Sequence, residues 1–395
     1  MGQHIAIVTE TFPPEINGVA NTLRHICQGL KHRGHRVSVV RPRQQQEAQI
    51  AIREPLLAKC DQTVVTGLPL PGYPDLRFGL PAGSRLRRLW QSDRPDALYI
   101  ATEGPLGWSA QATARKLRIP VCSGFHTNFQ TYSQFYNAGF LERIITAYLR
   151  AFHNRTGRTL VPTDLMRRRL QSIGISNARV WSRGVDCDLF SPDKRCDQLR
   201  RQWGLSAGDR AVLYVGRLAP EKNLWQAVNT FERIRRIHPR SRFILVGDGP
   251  LRRRLSERHP DYLFCGMQQG EALAQHFASG DLFLFPSKTD TFGNVVTEAL
   301  ASGLGVVAFD DAAASEHIQH KVNGMKVDLA DDESFTASAL QMLDQPSLLR
   351  QIRLAARRKA LSLHWDTLIE AFENWVLTTS PKEPRHAIKQ SYPIV

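Results

Sequence analysis

Ser287-Lys288-Thr289-Asp290-Thr291-Phe292-Gly293-Asn294-Val295-Val296-Thr297-Glu298-Ala299-Leu300-Ala301-Ser302-Gly303 joins an apolar strand, Leu282 to Phe285, to a helix expected to start near Phe292. A strand that feeds a helix through a short polar loop is half of a βαβ unit. The first amides of such a helix lack intrahelical partners and its dipole end is positive, so the loop is an anion site. Asp290 stands just before it, and Glu298 lies about two turns into the helix, too far to touch the same ligand atom. The two carboxylates suit a phosphate-linked ligand with hydroxyl groups at each end. The same residues are compatible with an acid that merely caps the helix and a solvated glutamate.

Strands and helices alternate on either side of this segment. Ala211 to Gly216, Phe243 to Val246, Tyr262 to Cys265, Gly305 to Ala308 and Met325 to Val327 read as strands of the same series. A second series fills the first half: Ile5 to Val8, Arg36 to Val40, Ala97 to Ala101, Ile119 to Gly124, Thr159 to Val161 and Arg179 to Trp181, with a helix from Val19 to His32 closed by Gly34. Such alternation implies parallel sheets. Two series in tandem predict an α/β chain of two facing Rossmann-like domains, residues 1–190 and 191–364, with a cleft between them. Trp365 to Leu377 reads as a helix with Leu368, Phe372, Trp375 and Val376 on one face, so residues 365–379 either cap the second domain or cross back to the first. Residues 380–395, polar and Pro-containing, are expected to form a flexible tail.

Ligands gather at the carboxyl ends of parallel strands and in interdomain clefts. There Gly216-Arg217-Leu218-Ala219-Pro220-Glu221-Lys222-Asn223 sets two cations, Arg217 and Lys222, where they can hold a diphosphate leaving group without a metal. A surface loop with an Arg–Glu pair is the plainer alternative. Gly247-Asp248-Gly249-Pro250 is a turn that brings backbone close to whatever lies above the sheet. Thr11-Phe12-Pro13-Pro14-Glu15-Ile16-Asn17-Gly18 is the equivalent loop of the first half, without the GxGxxG spacing of dinucleotide binders. His126 ends a strand facing the cleft and fits either a structural or a catalytic imidazole. Asp186-Cys187-Asp188 has the form of a metal-binding DxD, but its place after Gly184-Val185 reads as an interdomain turn, and no metal site is assigned.

Taken together, these stretches resemble the family 4 retaining glycosyltransferases of the GT-B fold, over nearly the whole chain. The Pro13-Pro14 to Gly18 loop, His126, Gly184-Val185-Asp186, Arg217 to Asn223, Gly247 to Pro250, and the acid, seven residues, Glu pattern at Asp290 and Glu298 carry the resemblance. It implies a hexosyltransferase without cofactor, moving a mannose- or glucose-type hexose from GDP-mannose or a UDP-hexose. Arg217 and Lys222 would hold the donor diphosphate, helped by Gly18 and by the amides of Phe292, Gly293, Asn294 and Val295. Gly247 belongs to the same donor-binding set, and residues from Cys265 to Met267 would flank the base. Asp290 would contact the transferred sugar, Glu298 the ribose, and His126 would lie at the reaction centre. The family usually has Glu where this chain has Asp290. The implied front-face attack retains configuration and asks for stabilisation of the diphosphate rather than for a protein nucleophile or a metal. Leu68 to Asp75 and Ala101 to Gly107 are most similar to lipid-glycosylating members, including mannosyltransferases and sulfoquinovosyl-diacylglycerol synthases, which implies a lipid or glycan acceptor.

The net charge of +15 is uneven: residues 1–190 hold 25 basic against 13 acidic side chains, the remainder 27 against 24. A basic first half fits an anionic membrane surface, or simply a solvated basic face. Six cysteines without CxxC spacing read as reduced thiols, no apolar run is long enough to span a bilayer, and the first residues do not read as a signal peptide. The expectation is a cytoplasmic protein, peripheral on the inner face of the cell membrane. Two rivals are a sugar-nucleotide epimerase of the same fold and a nucleic-acid-binding protein. The second has only the charge in its favour, so nucleic acid is not expected as a partner.

Overall fold

The computed structural model describes residues 2–13, 15, 17–44, 60–70, 73–126, 139–288, 290 and 292–380. Its first sheet is built from β1 (His4–Val8), β2 (Arg36–Pro42), β3 (Asp61–Val65), β6 (Ala97–Ile100), β7 (Val121–Gly124), β8 (Arg158–Val161) and β9 (Ala178–Val180), in the order β3-β2-β1-β6-β7-β8-β9. The second contains β10 (Ala211–Val215), β11 (Arg242–Val246), β12 (Leu263–Gly266), β13 (Leu282–Phe285), β14 (Gly305–Phe309) and β15 (Met325–Val327), in the order β12-β11-β10-β13-β14-β15. All pairings within both sheets are parallel. Helices cover both faces, which is why Ile5, Ala6, Ile7 and Val8, like Leu282, Phe283 and Leu284, are wholly buried and read as continuous apolar runs.

Strand order reverses at β1, which lies between β2 and β6, and at β10, which lies between β11 and β13. The loops leaving these strands therefore open on crevices at the carboxyl ends of the sheets. An antiparallel ribbon of β4 (Gly67–Leu70) and β5 (Tyr73–Gly79) stands apart. Neither β3 nor this ribbon was expected from the sequence. Gly67-Leu68-Pro69-Leu70 carries the residues that mark turns, and Pro69 is tolerated because each strand of a two-stranded ribbon keeps one edge unpaired.

The helix Trp365–Leu377 packs on the first domain. Trp365, Ile369, Phe372 and Val376 share a buried cluster with Leu23, Ile26 and Leu30 of the helix Gly18–His32, and Phe372 meets the edge of Tyr99 at 4.8 Å. The Trp181 indole N–H donates to the Leu368 carbonyl at 2.8 Å. The chain thus passes between the domains twice, and the crossings touch: the amide of Val185 donates to the carbonyl of Leu363 at 3.0 Å. A Cβ on Gly184 would come within 2.6 Å of the Trp365 ring, so glycine is required there. Asp186-Cys187-Asp188 is a turn in which Asp186 Oδ1 accepts from the amides of Asp188 and Leu189 at 3.1 and 2.9 Å. The predicted tail, residues 380–395, lies outside the described residues apart from Ser380.

Phe372→Ala should destabilise the first domain by about 3–5 kcal/mol, the usual cost of emptying a large aromatic site. Leu361→Ala, half exposed at a helix end, should change stability by less than about 0.5 kcal/mol. Urea unfolding followed by tryptophan fluorescence compares the two.

Candidate active site

After β10 the chain makes a short helical turn, Pro220–Lys222, that ends on Asn223 in the left-handed region with φ 52°. Asn223 Nδ2 donates to the carbonyl of Pro286 at 3.3 Å, tying this turn to the loop after β13. The tie brings Lys222 Nζ to 2.6 Å from Asp290 Oδ1, a partly buried ion pair. The next helix runs from Asn294 to Ala301, two residues later than the sequence suggested, because Gly293 adopts φ 83° and serves as its N-cap. No side chain caps it. Asp290 is therefore not a helix cap; its carboxylate answers Lys222, and Oδ2 is buried without a partner among the described residues. The leading amides of this helix face an open N-terminus, the place for an anion.

Glu298 stands one turn deeper in the same helix, and burial pushes its pKa up to about 7. Phe292 is fully buried, so only its backbone is available to a ligand. Asn294 Oδ1 is buried without a partner among the described residues. Arg217 is 62% exposed and lies 3.5 Å from Glu221, the surface pair weighed above. Gly247, with φ 134°, holds its Cα against the carbonyl of Gly216, where a Cβ would come to 2.0 Å. What its turn approaches is the Arg217 loop rather than open space. Met267 follows edge strand β12 with 61% of its surface exposed.

On the other domain, Asn17 caps the helix Gly18–His32 by accepting from the amides of Val19 and Ala20 at 3.1 and 2.8 Å. Pro14 and Ile16 of this loop, like Thr127 and Asn128 beyond His126, lie outside the described residues. His126 Nε2 is 2.8 Å from Tyr99 Oη, and Nδ1 is 3.4 Å from Arg183 Nη2. A guanidinium can only donate, so Nδ1 accepts and the ring proton sits on Nε2, directed at Tyr99. Burial, with the Arg183 charge, pulls the His126 pKa down to about 3. The imidazole is neutral at physiological pH and is hydrogen-bonded through both ring nitrogens.

Arg183 escaped the sequence reading although it immediately precedes the Gly184-Val185-Asp186 motif. It joins the two halves: Nη1 is 3.1 Å from where a Cβ on Gly18 would stand, Asn294 Nδ2 is 3.8 Å from the same point, and the guanidinium lies 5.5 Å from the Phe292 ring centre. Gly18, His126, Phe292 and Asn294 are thus brought to one cleft, with Lys222 and Asp290 beside it. Met267 and Arg217 are exposed, and no contact joins them to this group among the described residues.

Two doubly wound sheets meeting at their switch points form the GT-B architecture. WaaG, a glycosyltransferase involved in lipopolysaccharide biosynthesis, shares it with a TM-score of 0.66 over 94% of this chain and 99% of that one, at 16% identity. Residues 16–189 match the family described as Glycosyltransferase Family 4, and residues 209–345 match Glycosyl transferases group 1. The GDP-mannose-dependent alpha-mannosyltransferase of Corynebacterium glutamicum is 33% identical, covering 86% of this chain and 80% of its own. The alpha-monoglucosyldiacylglycerol synthase of Streptococcus pneumoniae is 25% identical, covering 81% and 74%. The chain belongs to glycosyltransferase family 4, and the epimerase reading has no support among these relatives.

Because Glu298 ionises near 7 in the fold but at 4.5 in its ordinary state, the folded protein holds its proton where the unfolded chain has lost it. Its contribution to stability therefore falls as pH rises between those values. Ribose hydroxyls would donate to the ionised carboxylate and pull its pKa back down. Nucleotide affinity should then rise from about pH 5.5 to about pH 7.5, with a proton released on binding near neutrality. Calorimetry in buffers of different ionisation enthalpy reads that release, and Glu298→Gln should abolish it.

Proposed function

We propose that this glycosyltransferase takes a hexose from a nucleoside-diphosphate donor, GDP-mannose first among the candidates, and transfers it with retention of configuration to a hydroxyl of a membrane lipid such as diacylglycerol or a glycolipid. The observation that carries the donor assignment is the Lys222–Asp290 pair beside an uncapped helix N-terminus. Lys222 and Asp290 answer each other across the site. An incoming diphosphate competes for Lys222 and for the helix amides, and it releases Asp290 to accept from sugar hydroxyls. Arg217 reaches the diphosphate by leaving Glu221, a weak exposed pair. The bond from the anomeric carbon to the diphosphate then breaks while the acceptor oxygen bonds to that carbon on the same face. The acceptor proton passes to a phosphate oxygen. Charge grows on the leaving group, so cations and amides are the groups the step requires, with neither cofactor nor metal. The mannosyl donor is favoured by the corynebacterial relative, and the lipid acceptor by the diacylglycerol-glycosylating one.

The helix Gly139–His153 supports docking at a membrane. Ile144 and Tyr148, one turn apart, are 49% and 40% exposed, and Arg143 and Arg150 beside them are exposed as well. Apolar anchors flanked by cations suit an anionic bilayer surface. No helix among the described residues is long and apolar enough to cross a membrane. We read the protein as cytoplasmic and peripheral, meeting its acceptor at the inner leaflet.

The test is transfer from GDP-mannose and from UDP-glucose to vesicles containing diacylglycerol or a glycolipid; no product from either donor removes the reading. Lys222→Ala should reduce turnover about a hundredfold or more, with an unchanged melting temperature. Asp290→Asn should cut turnover at least about tenfold while affinity for the product diphosphate is retained, and undiminished turnover would confine the pair to a structural role. Separately, the wild-type protein should sediment with anionic but not neutral vesicles at low salt. Ile144→Glu combined with Tyr148→Glu should abolish sedimentation, and binding that survives both this change and high salt would refute the docking helix.

A further inference from the structure

The cleft contains a cation that neither the sequence motifs nor the loops of the second sheet account for. Arg183 belongs to the first crossing between the domains and is 5% exposed. Its Nε is buried without a hydrogen-bond partner among the described residues. Its contacts among the described residues are a long hydrogen bond to a neutral imidazole and the face of Phe292. Asp290 is near enough to act through space, but it already holds Lys222 at 2.6 Å. Burial pulls the Arg183 pKa down to about 10, which leaves the group charged at neutral pH. A buried cation with no carboxylate of its own among the described residues is a costly arrangement for a protein to keep, and an apolar residue of similar volume is commonly as stable or more so. Its retention points to an anion that arrives from outside.

The surroundings identify that anion by chemistry. The same point in space is approached by Arg183 Nη1, by Asn294 Nδ2 and by the first residue of the helix Gly18–His32. Two helix N-termini, one from each domain, therefore converge beside the guanidinium. Arg183 and the Asn294 side-chain amide are donors, and the leading amides of the helix Asn294–Ala301 carry no side-chain cap among the described residues, a combination that suits a compact, multiply charged oxyanion better than a sugar hydroxyl. The only such group that the reaction brings to the helix Asn294–Ala301 is the donor's diphosphate.

We propose that Arg183 binds the diphosphate of the nucleotide sugar from the first-domain side of the cleft, opposite Lys222, and that it stabilises the charge left there when the sugar departs. The inference rests on the donor-site reading above and extends it to a residue outside the second domain. His126 and Tyr99 are then positioning residues: the neutral ring accepts from the guanidinium and aims it. Because Arg183 lies in the crossing itself, diphosphate bound to it also links the two domains through the ligand.

The experiment compares the affinities of GDP with GMP and of UDP with UMP, by calorimetry on the full chain, for wild type, Lys222→Ala, Arg183→Met and Arg183→Lys. Arg183→Met should keep or raise the melting temperature and lower the preference for diphosphate over monophosphate at least about tenfold, leaving monophosphate affinity unchanged. Arg183→Lys, which keeps the charge but not the planar fork, should retain part of the preference and remains informative if the methionine variant does not fold. An undiminished preference in the Arg183 variants overturns the proposal, as does an effect confined to the Michaelis constant of the acceptor. If Lys222→Ala loses the preference while the Arg183 variants keep it, the donor site stands and only the Arg183 assignment falls. If wild type shows no preference for either diphosphate, the donor-site reading falls and the inference with it.

Discussion

The hydrogen bond from the Val185 amide to the Leu363 carbonyl, 3.0 Å long, ties together the only two places where the described chain passes between its sheets. Gly184 leaves room at this seam for the Trp365 ring, which stacks on His25 of the first domain at 4.4 Å. A second contact is polar: Glu316 accepts from the amide of Asp164, and Ser182 Oγ meets His317 Nε2, each at 2.9 Å. With crossings clamped in one place, the switch-point loops of both sheets are held on the same side of the molecule. The cleft geometry follows from that clamp rather than from a large interdomain core, which leaves relative domain motion as the ordinary expectation.

What the clamp holds in place is a site in which several buried polar atoms have no partner among the described residues. Asp290 answers Lys222 through one oxygen and leaves the other without a partner, and Asn294 Oδ1 and Ser287 Oγ are likewise buried and unsatisfied. Such groups are tolerated where function requires them and are otherwise rare. A site organised in this way has its donors aimed before the ligand arrives, so little reorganisation accompanies the growth of charge on a leaving group. Glu298, whose pKa burial raises to about 7, follows the same pattern, since its charged form is favoured further once something donates to it.

Much of this architecture is legible in the residues themselves. The buried runs of β1, β10 and β13 have the continuous apolar character of strands covered on both faces, and the loop after β13 announces itself by its polar acid followed by a helix. Local patterns cannot show pairings between distant loops. Lys222 and Asp290 are 68 positions apart, and nothing in either neighbourhood indicates that one answers the other. Arg183 looks like any surface arginine in a basic half, because its burial is created by a glycine from one domain and a phenylalanine from the other. The β4–β5 ribbon hides for a different reason: its Gly and Pro are turn formers used here in short, exposed-edge strands.

The helix Trp365–Leu377 completes the core of the first sheet although it is the last element of the described chain. As the polypeptide leaves the ribosome, the face of the helix Gly18–His32 that bears Leu23, Ile26 and Leu30 stays uncovered until almost every other element has been made. The second sheet draws its core largely from residues that lie together between the two crossings, so it can finish first. Assembly then runs against the order of synthesis, and the early half is the part that most needs shielding from other chains while it waits.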